Sequence, residues 1–270
     1  MKDYYRILGL KSSCSAKEIK KAYRIKAKEY HPDLTGEEET AHFLSLKEAY
    51  EVLSSKKTRR SYDETYRAAK YAEESGEAPE WSYRDFLKEN RDDPENLAKL
   101  ICYDLLHDMD QEAVKLYDEV SGGGFFSLRR YLSREDFMDY AFLLAEAYLN
   151  ENAVVKAYRL LRGIAELEEE DPYFKHFYVE VLEKLFSIVK HPLPEDPDNK
   201  LRMAFISDLL NLSYSSKEEA RLRKLLSELL SASGNYQAAA EEIFKAYRLS
   251  PAIPGLKETV ETLKKMGFRE

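Results

Sequence analysis

The sequence is poor in cysteine, glycine and proline. Cys14 and Cys102 are the only cysteines in 270 residues, and neither has a Cys or His at ligand spacing. We therefore expect neither a disulfide framework nor a structural zinc site, which suits a reducing compartment. With 10 glycines and 9 prolines, the chain also lacks the turn residues of a strand-rich fold. The dominance of Leu, Ala, Glu, Lys and Tyr predicts an all-α protein instead.

Long apolar runs and an excess of positive charge are missing as well. No stretch approaches the roughly twenty apolar residues of a membrane span, and residues 1–10 carry charges where a signal peptide is apolar, so we expect a cytoplasmic protein. The net charge of −8 argues against a nucleic-acid partner for the whole chain, because phosphates would be repelled. Without a phosphate loop, a nucleophile motif or clustered ligands, we predict no enzymatic activity, catalytic residue, cofactor or metal.

Charge is unevenly distributed along the chain. Residues 1–67 contain 15 Lys and Arg against 11 Asp and Glu, a net charge of +4, which leaves −12 for the remainder. Between about residues 71 and 81, polar residues together with Gly and Pro mark the best boundary. We predict a first domain over 1–70, a linker over 71–84 and a helical domain over 85–270.

The first segment predicts four helices separated by short polar breaks. Gly9 suits the end of a first short helix. Ser15 and Glu18 form a capping-box pattern that opens a second helix, which ends ahead of the next proline. Apolar spacing predicts a third helix over about 43–53 that packs antiparallel on the second, and residues 56–66 predict a short basic fourth helix.

Beyond the boundary, the apolar spacing predicts nine helices that fall into pairs. Pairs at a period of about 34 residues indicate an α-solenoid, and one stretch resembles the tetratricopeptide repeat, in which small residues let two helices approach. A generic helical bundle is the alternative, because small-residue spacing occurs in any tightly packed helix pair. The predicted helices cover about 95–106, 111–120, 134–149, 153–167, 173–189, 200–212, 217–232, 236–249 and 256–265. The best repeat match consists of Leu226, Leu230, Gly234, Tyr236, Ala239, Ile243, Ala246 and Pro251.

A tripeptide, His31-Pro32-Asp33, follows the basic second helix, and the segments around it complete a known pattern. The matching flanks are Asp3-Tyr4-Tyr5, Leu8-Gly9, Ala22-Tyr23-Arg24, Glu48-Ala49-Tyr50-Glu51-Val52-Leu53 and Arg59-Arg60-Ser61-Tyr62-Asp63. With these flanks, residues 2–67 resemble the J domain of the DnaJ-like co-chaperones. The Gly/Phe linker and the Cys-x-x-Cys zinc repeats of larger members are missing, so the chain resembles the third class, in which an unrelated module selects where the partner ATPase is recruited.

The resemblance implies a co-chaperone that binds a DnaK-type chaperone ATPase and stimulates its ATP hydrolysis. Asp33 is implied to pair with an arginine of the ATPase. The helical remainder is implied to direct the complex to a client or partner protein that the sequence does not identify. Six residues occupy the contact positions of the family: His31, Pro32, Asp33, Lys20, Tyr23 and Arg24.

The second helix carries six cations and two anions between Ser15 and Tyr30, a local charge of +4. Such a stripe steers a protein toward an acidic partner, although read alone it is also typical of a solvated helix face. For His31, a helix-end cap or a metal ligand are the alternatives to partner contact.

Three residues depart from the family pattern. Where many relatives have a basic residue followed by Leu, this chain has Ile25 followed by Lys26, and Leu34 is often basic in relatives. The exchange argues against a cationic contact at Ile25 and against the usual local packing, unless Lys26 lays its methylene stem along the core edge. The alternative function is therefore a helical-repeat scaffold or adaptor with a degenerate, weakly active J domain.

Overall fold

The computed structural model describes residues 1–30, 40–72, 81–122, 124, 126–172, 175–194, 196 and 198–269. These ranges contain α-helices, one short 3-10 helix at Leu128–Arg130 and no strand, so the predicted all-α fold is confirmed. The α-helices are α1 Tyr4–Leu8, α2 Ala16–Glu29, α3 Thr40–Ser54, α4 Lys56–Ala72, α5 Tyr83–Glu89, α6 Pro94–Leu106, α7 Asp110–Ser121, α8 Arg134–Asn150, α9 Val154–Glu170, α10 Lys175–Lys190, α11 Lys200–Leu209, α12 Ser216–Ala232, α13 Tyr236–Leu249 and α14 Leu256–Lys265.

Local signals in the sequence account for where the first two helices begin and end. The Ser15 hydroxyl accepts a hydrogen bond from the Glu18 N–H, and the Glu18 carboxylate accepts one from the Ser15 N–H, so the predicted capping box opens α2. Gly9 follows α1 with a φ of 71°, a left-handed conformation that glycine adopts without strain. The end of α1 and the start of α2 are thus both determined by residues that lie beside them in the sequence.

Contacts among the helices divide the chain into unit 1, Met1–Ser127, and unit 2, Leu128–Glu270. The helices α5, α6 and α7 belong to the same unit as the N-terminal segment, a grouping that the charge pattern does not indicate. Residues 73–80, within the predicted linker, lie outside the described ranges. The domain limits of 1–70, 71–84 and 85–270 stay a prediction.

Aromatic side chains form the centre of unit 1 and join α5 to the N-terminal helices. The Trp81 ring meets the Tyr62 ring at 5.4 Å and the Tyr4 ring at 6.0 Å, in both cases edge to face. Tyr83 and Leu87 of α5 are buried in the same cluster. This packing explains why α5 forms although the sequence pattern does not predict it, because a helix of two turns needs tertiary contacts to be stable.

In unit 2, each helix packs mainly on its neighbours in sequence, as helices do in repeat proteins. The most extensive contact is between α12 and α13, where the Ser227 hydroxyl donates to the Ala239 carbonyl at 2.8 Å and Ala240 is buried. Small residues at this interface let the two helix backbones approach, which agrees with the reasoning behind the repeat resemblance. The tetratricopeptide likeness itself stays a prediction.

Candidate partner-binding site

The outer face of α2 is strongly cationic. Lys20 and Arg24 are exposed and lie one helical turn apart, so their side chains are neighbours on the helix surface. The opposite face holds Ile19, which is fully buried in the core. The exposed cations of the helix are Lys17, Lys20, Lys21, Arg24 and Lys28. Within the described ranges none of them has a carboxylate partner, so their charge is directed to the solvent or to another molecule.

Tyr23 differs from its two cationic neighbours because it also serves the packing of α2. Its ring stacks on the Tyr50 ring of α3, with centroids 4.2 Å apart and planes 14° from parallel. The side chain is half-buried against the core. Its ring is therefore held in one position beside Arg24, as a docking residue on a rigid helix should be.

Lys26 stands where many relatives have Leu, and its side chain is directed toward the core of unit 1 as that Leu would be. Its Nζ donates to the Ile7 carbonyl at 2.8 Å, and the half-buried side chain lies over Gly9, where an added Cβ would meet Lys26 Cε at 3.5 Å. Ile7 carries one of the last carbonyls of α1, which has no intrahelical partner, so Lys26 supplies the missing donor. The Lys26 charge is thus used inside the fold.

Ile25 is turned to the opposite side. Its side chain is 50% exposed, which makes it one of the few large apolar side chains on the described surface. It follows Arg24 directly and lies one turn after Lys21, inside the cationic face. The cationic face of α2 therefore includes one apolar side chain, Ile25. Many proteins with the J-domain pattern have a cation at this position.

The tripeptide His31-Pro32-Asp33 lies outside the described residues, as does Leu34. The described chain reaches Tyr30, whose N–H donates to the Lys26 carbonyl at 3.0 Å and whose ring packs against the core of unit 1. The structure thus brings Lys20, Tyr23 and Arg24 together on one helix, and this helix ends at Glu29, two residues before His31. The roles of all six predicted contact residues stay a prediction.

The flanking motif segments hold the N-terminal helices together. The Tyr4 hydroxyl donates to Glu48 Oε1 at 2.5 Å, and Lys2 Nζ contacts the other oxygen of the same carboxylate at 2.6 Å. The Tyr5 hydroxyl donates to Asp63 Oδ1 at 2.6 Å. Burial raises the pKa of both tyrosines, and the acidic partners raise it further, so both hydroxyls keep their protons. These motif residues are structural.

Other kinds of site find no support in the part of the chain that the structure describes. No three His, Cys, Asp or Glu side chains there converge on a position that a metal ion could occupy. None of the helices described combines the length and the apolar character needed to cross a bilayer.

Sequence reasoning missed two sets of residues. Trp81 and Tyr83 join α5 to the N-terminal helices, and the only signal for this was the presence of the sole tryptophan beside a polar boundary. Lys190, Arg221 and Lys224 line one groove of unit 2 although they come from two different helices. No local pattern connects residues that far apart.

Comparisons with known proteins concern the N-terminal segment. The family model for the DnaJ domain matches residues 3–63. The "Chaperone protein DnaJ" of Hydrogenobacter thermophilus is 45% identical over 89 residues, which are 33% of this chain and 22% of that protein. The protein of the same name from Bacillus cytotoxicus is 52% identical over 64 residues, 23% of this chain and 18% of its own length. This chain thus spans about a fifth of the length of the curated relatives it matches.

Proposed function

With residues 3–63 being a J domain, we propose that the chain is a co-chaperone that binds a DnaK-type chaperone ATPase and stimulates its ATP hydrolysis. The contacts come from the outer face of α2 and from His31, Pro32 and Asp33. Unit 2 directs the ATPase to a client or partner protein. The proposal assigns no catalytic residue, cofactor or metal to the chain itself, and its location is the cytoplasm.

One observation carries this proposal: α2 exposes cations that have no carboxylate partner in the described ranges, and only Tyr30 separates the end of this helix from the tripeptide. Lys20 and Arg24 lie exposed on that helix, while Tyr30 fixes the point at which the chain leaves it. A fixed cationic face attracts an acidic partner and sets its orientation, which brings the tripeptide to a constant place on the partner.

Stimulation follows from differential binding. A protein that contacts the ATPase accelerates hydrolysis only if it binds the hydrolysis-competent state better than the other states. In this proposal the α2 face supplies attraction common to all states. The tripeptide, with Asp33 paired to an arginine of the ATPase, supplies the preference for one state. Removing cations should therefore weaken binding, whereas changing the tripeptide should abolish stimulation.

Single-turnover ATP hydrolysis by the DnaK-type ATPase of the same host tests the proposal. The intact protein should accelerate hydrolysis, and His31→Gln or Asp33→Asn should return the rate to its basal value. The pair Lys20→Glu and Arg24→Glu should raise the concentration needed for half-maximal stimulation. As a control, Lys57→Glu changes an exposed cation on α4 and should have no effect. Equal stimulation by the intact protein and His31→Gln contradicts the proposal.

A scaffold with a degenerate J domain is the second candidate, and the exposed Ile25 favours it. An apolar side chain stands where many relatives present a cation, which weakens the electrostatic attraction at that point. In that case Ile25→Arg would raise a weak stimulation by the intact protein several-fold. If the intact protein already stimulates strongly and Ile25→Arg adds nothing, the scaffold reading is excluded.

A further inference from the structure

Unit 2 contains a groove that the proposed function does not use. The C-terminal part of α10 forms one side, α12 forms the other, and the turn before α14 closes one end. Its cavity volume is about 470 Å³, within the range of about 300–1,000 Å³ that is typical of ligand pockets. The residues that line it are Phe186, Lys190, Arg221, Lys224, Leu225, Glu228, Ile253 and Pro254.

The charge of the groove is opposite to that of the unit around it. Residues 128–270 contain 21 Lys and Arg against 24 Asp and Glu, yet the groove presents three cations and one carboxylate. Lys190 and Arg221 are exposed and have no ion-pair partner in the described ranges. Unpaired cations that converge in a concavity attract a ligand with negative charge.

The groove also has an apolar part, which indicates that its ligand carries an apolar group as well as negative charge. Ile253 is 8% exposed and belongs to the buried cluster below the groove. Phe186 and Leu225 are half-buried, so part of each side chain faces the opening. A bare anion would leave this apolar surface in contact with water. A ligand that also carries an aliphatic or aromatic group would cover it.

Both sides of the groove are held in place from within the unit. The buried Arg202 donates from Nε to the Val189 carbonyl at 2.8 Å and from Nη2 to the Lys190 carbonyl at 2.7 Å, which fixes the end of α10. On the other side, Lys224 Nζ donates to the Pro254 carbonyl at 3.1 Å. A ligand therefore meets a groove that needs little ordering, which lowers the cost of binding.

We propose that this groove binds an acidic segment of a partner protein, with carboxylates at Lys190 and Arg221 and one apolar side chain over Ile253. A protein segment carries both carboxylates and apolar side chains at short spacing, whereas a nucleic acid would bring a run of phosphates against a unit of net negative charge. The inference deepens the proposed function, because it names the chemistry of the partner that unit 2 recruits. Peptide binding by the groove does not depend on the proposed function; only its role in recruiting the ATPase to a partner rests on that function.

Fluorescence anisotropy with the full-length protein tests the groove. The probe is a short labelled peptide of Glu and Asp with a central Leu-Phe pair and an amidated C-terminus. The double variant Lys190→Glu with Arg221→Glu should weaken binding by about five- to thirtyfold, since two exposed charge pairs become repulsive. The matched control, Lys265→Glu with Arg248→Glu, reverses two exposed cations outside the groove and should bind as the unmodified protein does.

Two altered peptides test the chemistry without relying on the folding of any variant. Replacing Glu and Asp by Gln and Asn, or replacing the Leu-Phe pair by Ser, should each weaken binding. Equal binding by the two double variants overturns the proposal. Tighter binding of single-stranded DNA or of inorganic phosphate overturns it too, as does self-association of the protein through this groove. The ATPase is absent from this assay, so its outcome is independent of the stimulation measured for the J domain.

Discussion

Units 1 and 2 are both helical, but they are held together by different kinds of contact. In unit 1 hydrogen bonds tie the first residues of the chain to α3 and α4, as between the Tyr62 hydroxyl and the Lys2 carbonyl and between Tyr4 and Glu48. In the described part of unit 2 the side-chain hydrogen bonds reach no further than the next helix but one, as between Tyr158 of α9 and Asp208 of α11, and the most extensive helix contacts join successive helices. Long-range contacts make a body unfold as a whole, whereas neighbour-to-neighbour contacts allow pieces to open separately.

This difference suits the two proposed roles. A J domain must present its contact face in one geometry, which a cooperative core maintains. A groove that binds a flexible peptide segment requires only that the helices lining it stay in place. We therefore expect damage to spread in unit 1 and to stay local in unit 2, and four measurements can break or sharpen that contrast.

The largest expected effect is alkaline unfolding of unit 1. Burial raises the pKa of four of its tyrosines above the ordinary value of 10.0, so they stay neutral in the fold while the unfolded chain ionises. Their stabilising effect is complete below pH 10 and is lost as the pH rises, by about 1.4 kcal/mol per pH unit for each tyrosine. The four tyrosines are Tyr4, Tyr5, Tyr62 and Tyr83.

Urea unfolding at pH values from 9 upward, followed by fluorescence of Trp81, measures this loss, because the sole tryptophan lies in unit 1. Tyr83→Phe removes one titrating group and should lower the slope by about one proton. Several separate alkaline transitions in the Trp81 signal would show that unit 1 is not one cooperative body.

Truncation of Tyr62 should come next in size. The ring is fully buried between Tyr4, Tyr5 and Trp81, so Tyr62→Ala should lower the free energy of unfolding of unit 1 by about 3–5 kcal/mol. Tyr62→Phe is the control that keeps the ring and loses the hydroxyl, at about 1–3 kcal/mol. Hydrogen exchange should show lost protection throughout α1, α3 and α4, and loss confined to α4 would contradict the contrast.

Arg202→Met should destabilise unit 2 only near the substituted residue. The change removes the donors of the Val189 and Lys190 carbonyls and should cost about 2–3 kcal/mol. Hydrogen exchange should accelerate around the end of α10 and the start of α11, while the Trp81 unfolding midpoint stays constant. Lys200→Met, at an exposed position on the same helix, is the control. Loss of protection throughout unit 2 would mean that its contacts are cooperative after all.

The smallest expected effect is that of Lys26→Met. The variant keeps an unbranched apolar stem but loses the hydrogen bond to the Ile7 carbonyl, at about 1 kcal/mol. Lys28→Met, an exposed cation two residues later, removes the same charge without that bond and should be neutral. Equal midpoints of the two variants in urea would show that the Lys26 bond adds nothing to stability.

Much of the local structure could be predicted from the sequence, because its causes are local. The Ser15–Glu18 capping box and the Gly9 helix end are set by residues within a few positions of each other. The bounds expected for α8 and α13 agree with the structure within one residue for the same reason. The fourth helix was expected to end at residue 66 and continues to Ala72, because no breaker precedes that point.

What could not be predicted depends on contacts between distant segments. The helix α5 has too few turns to reveal itself by periodicity, and it forms where Tyr83 joins a core that also contains Tyr4 and Tyr62 from earlier helices. Likewise, the groove gathers Lys190, Arg221 and Ile253 from separate segments. For the J-domain site, the residue types pointed to Lys20 and Arg24 and raised an inward Lys26 stem as one alternative, while only the structure revealed the bond from Lys26 to the Ile7 carbonyl.

Lys26 also has a mechanical consequence. Its side chain is tied to the end of α1 through the Ile7 carbonyl, and its own carbonyl receives the N–H of Tyr30, the last described residue before the tripeptide. A force applied to the chain at residue 31 therefore acts on the last turn of α2, and the Lys26 side chain in that turn transmits it to the end of α1. The segment that we propose to press against a moving ATPase is thus anchored to two helices at once, so force transmits to the body of unit 1 instead of fraying the end of α2.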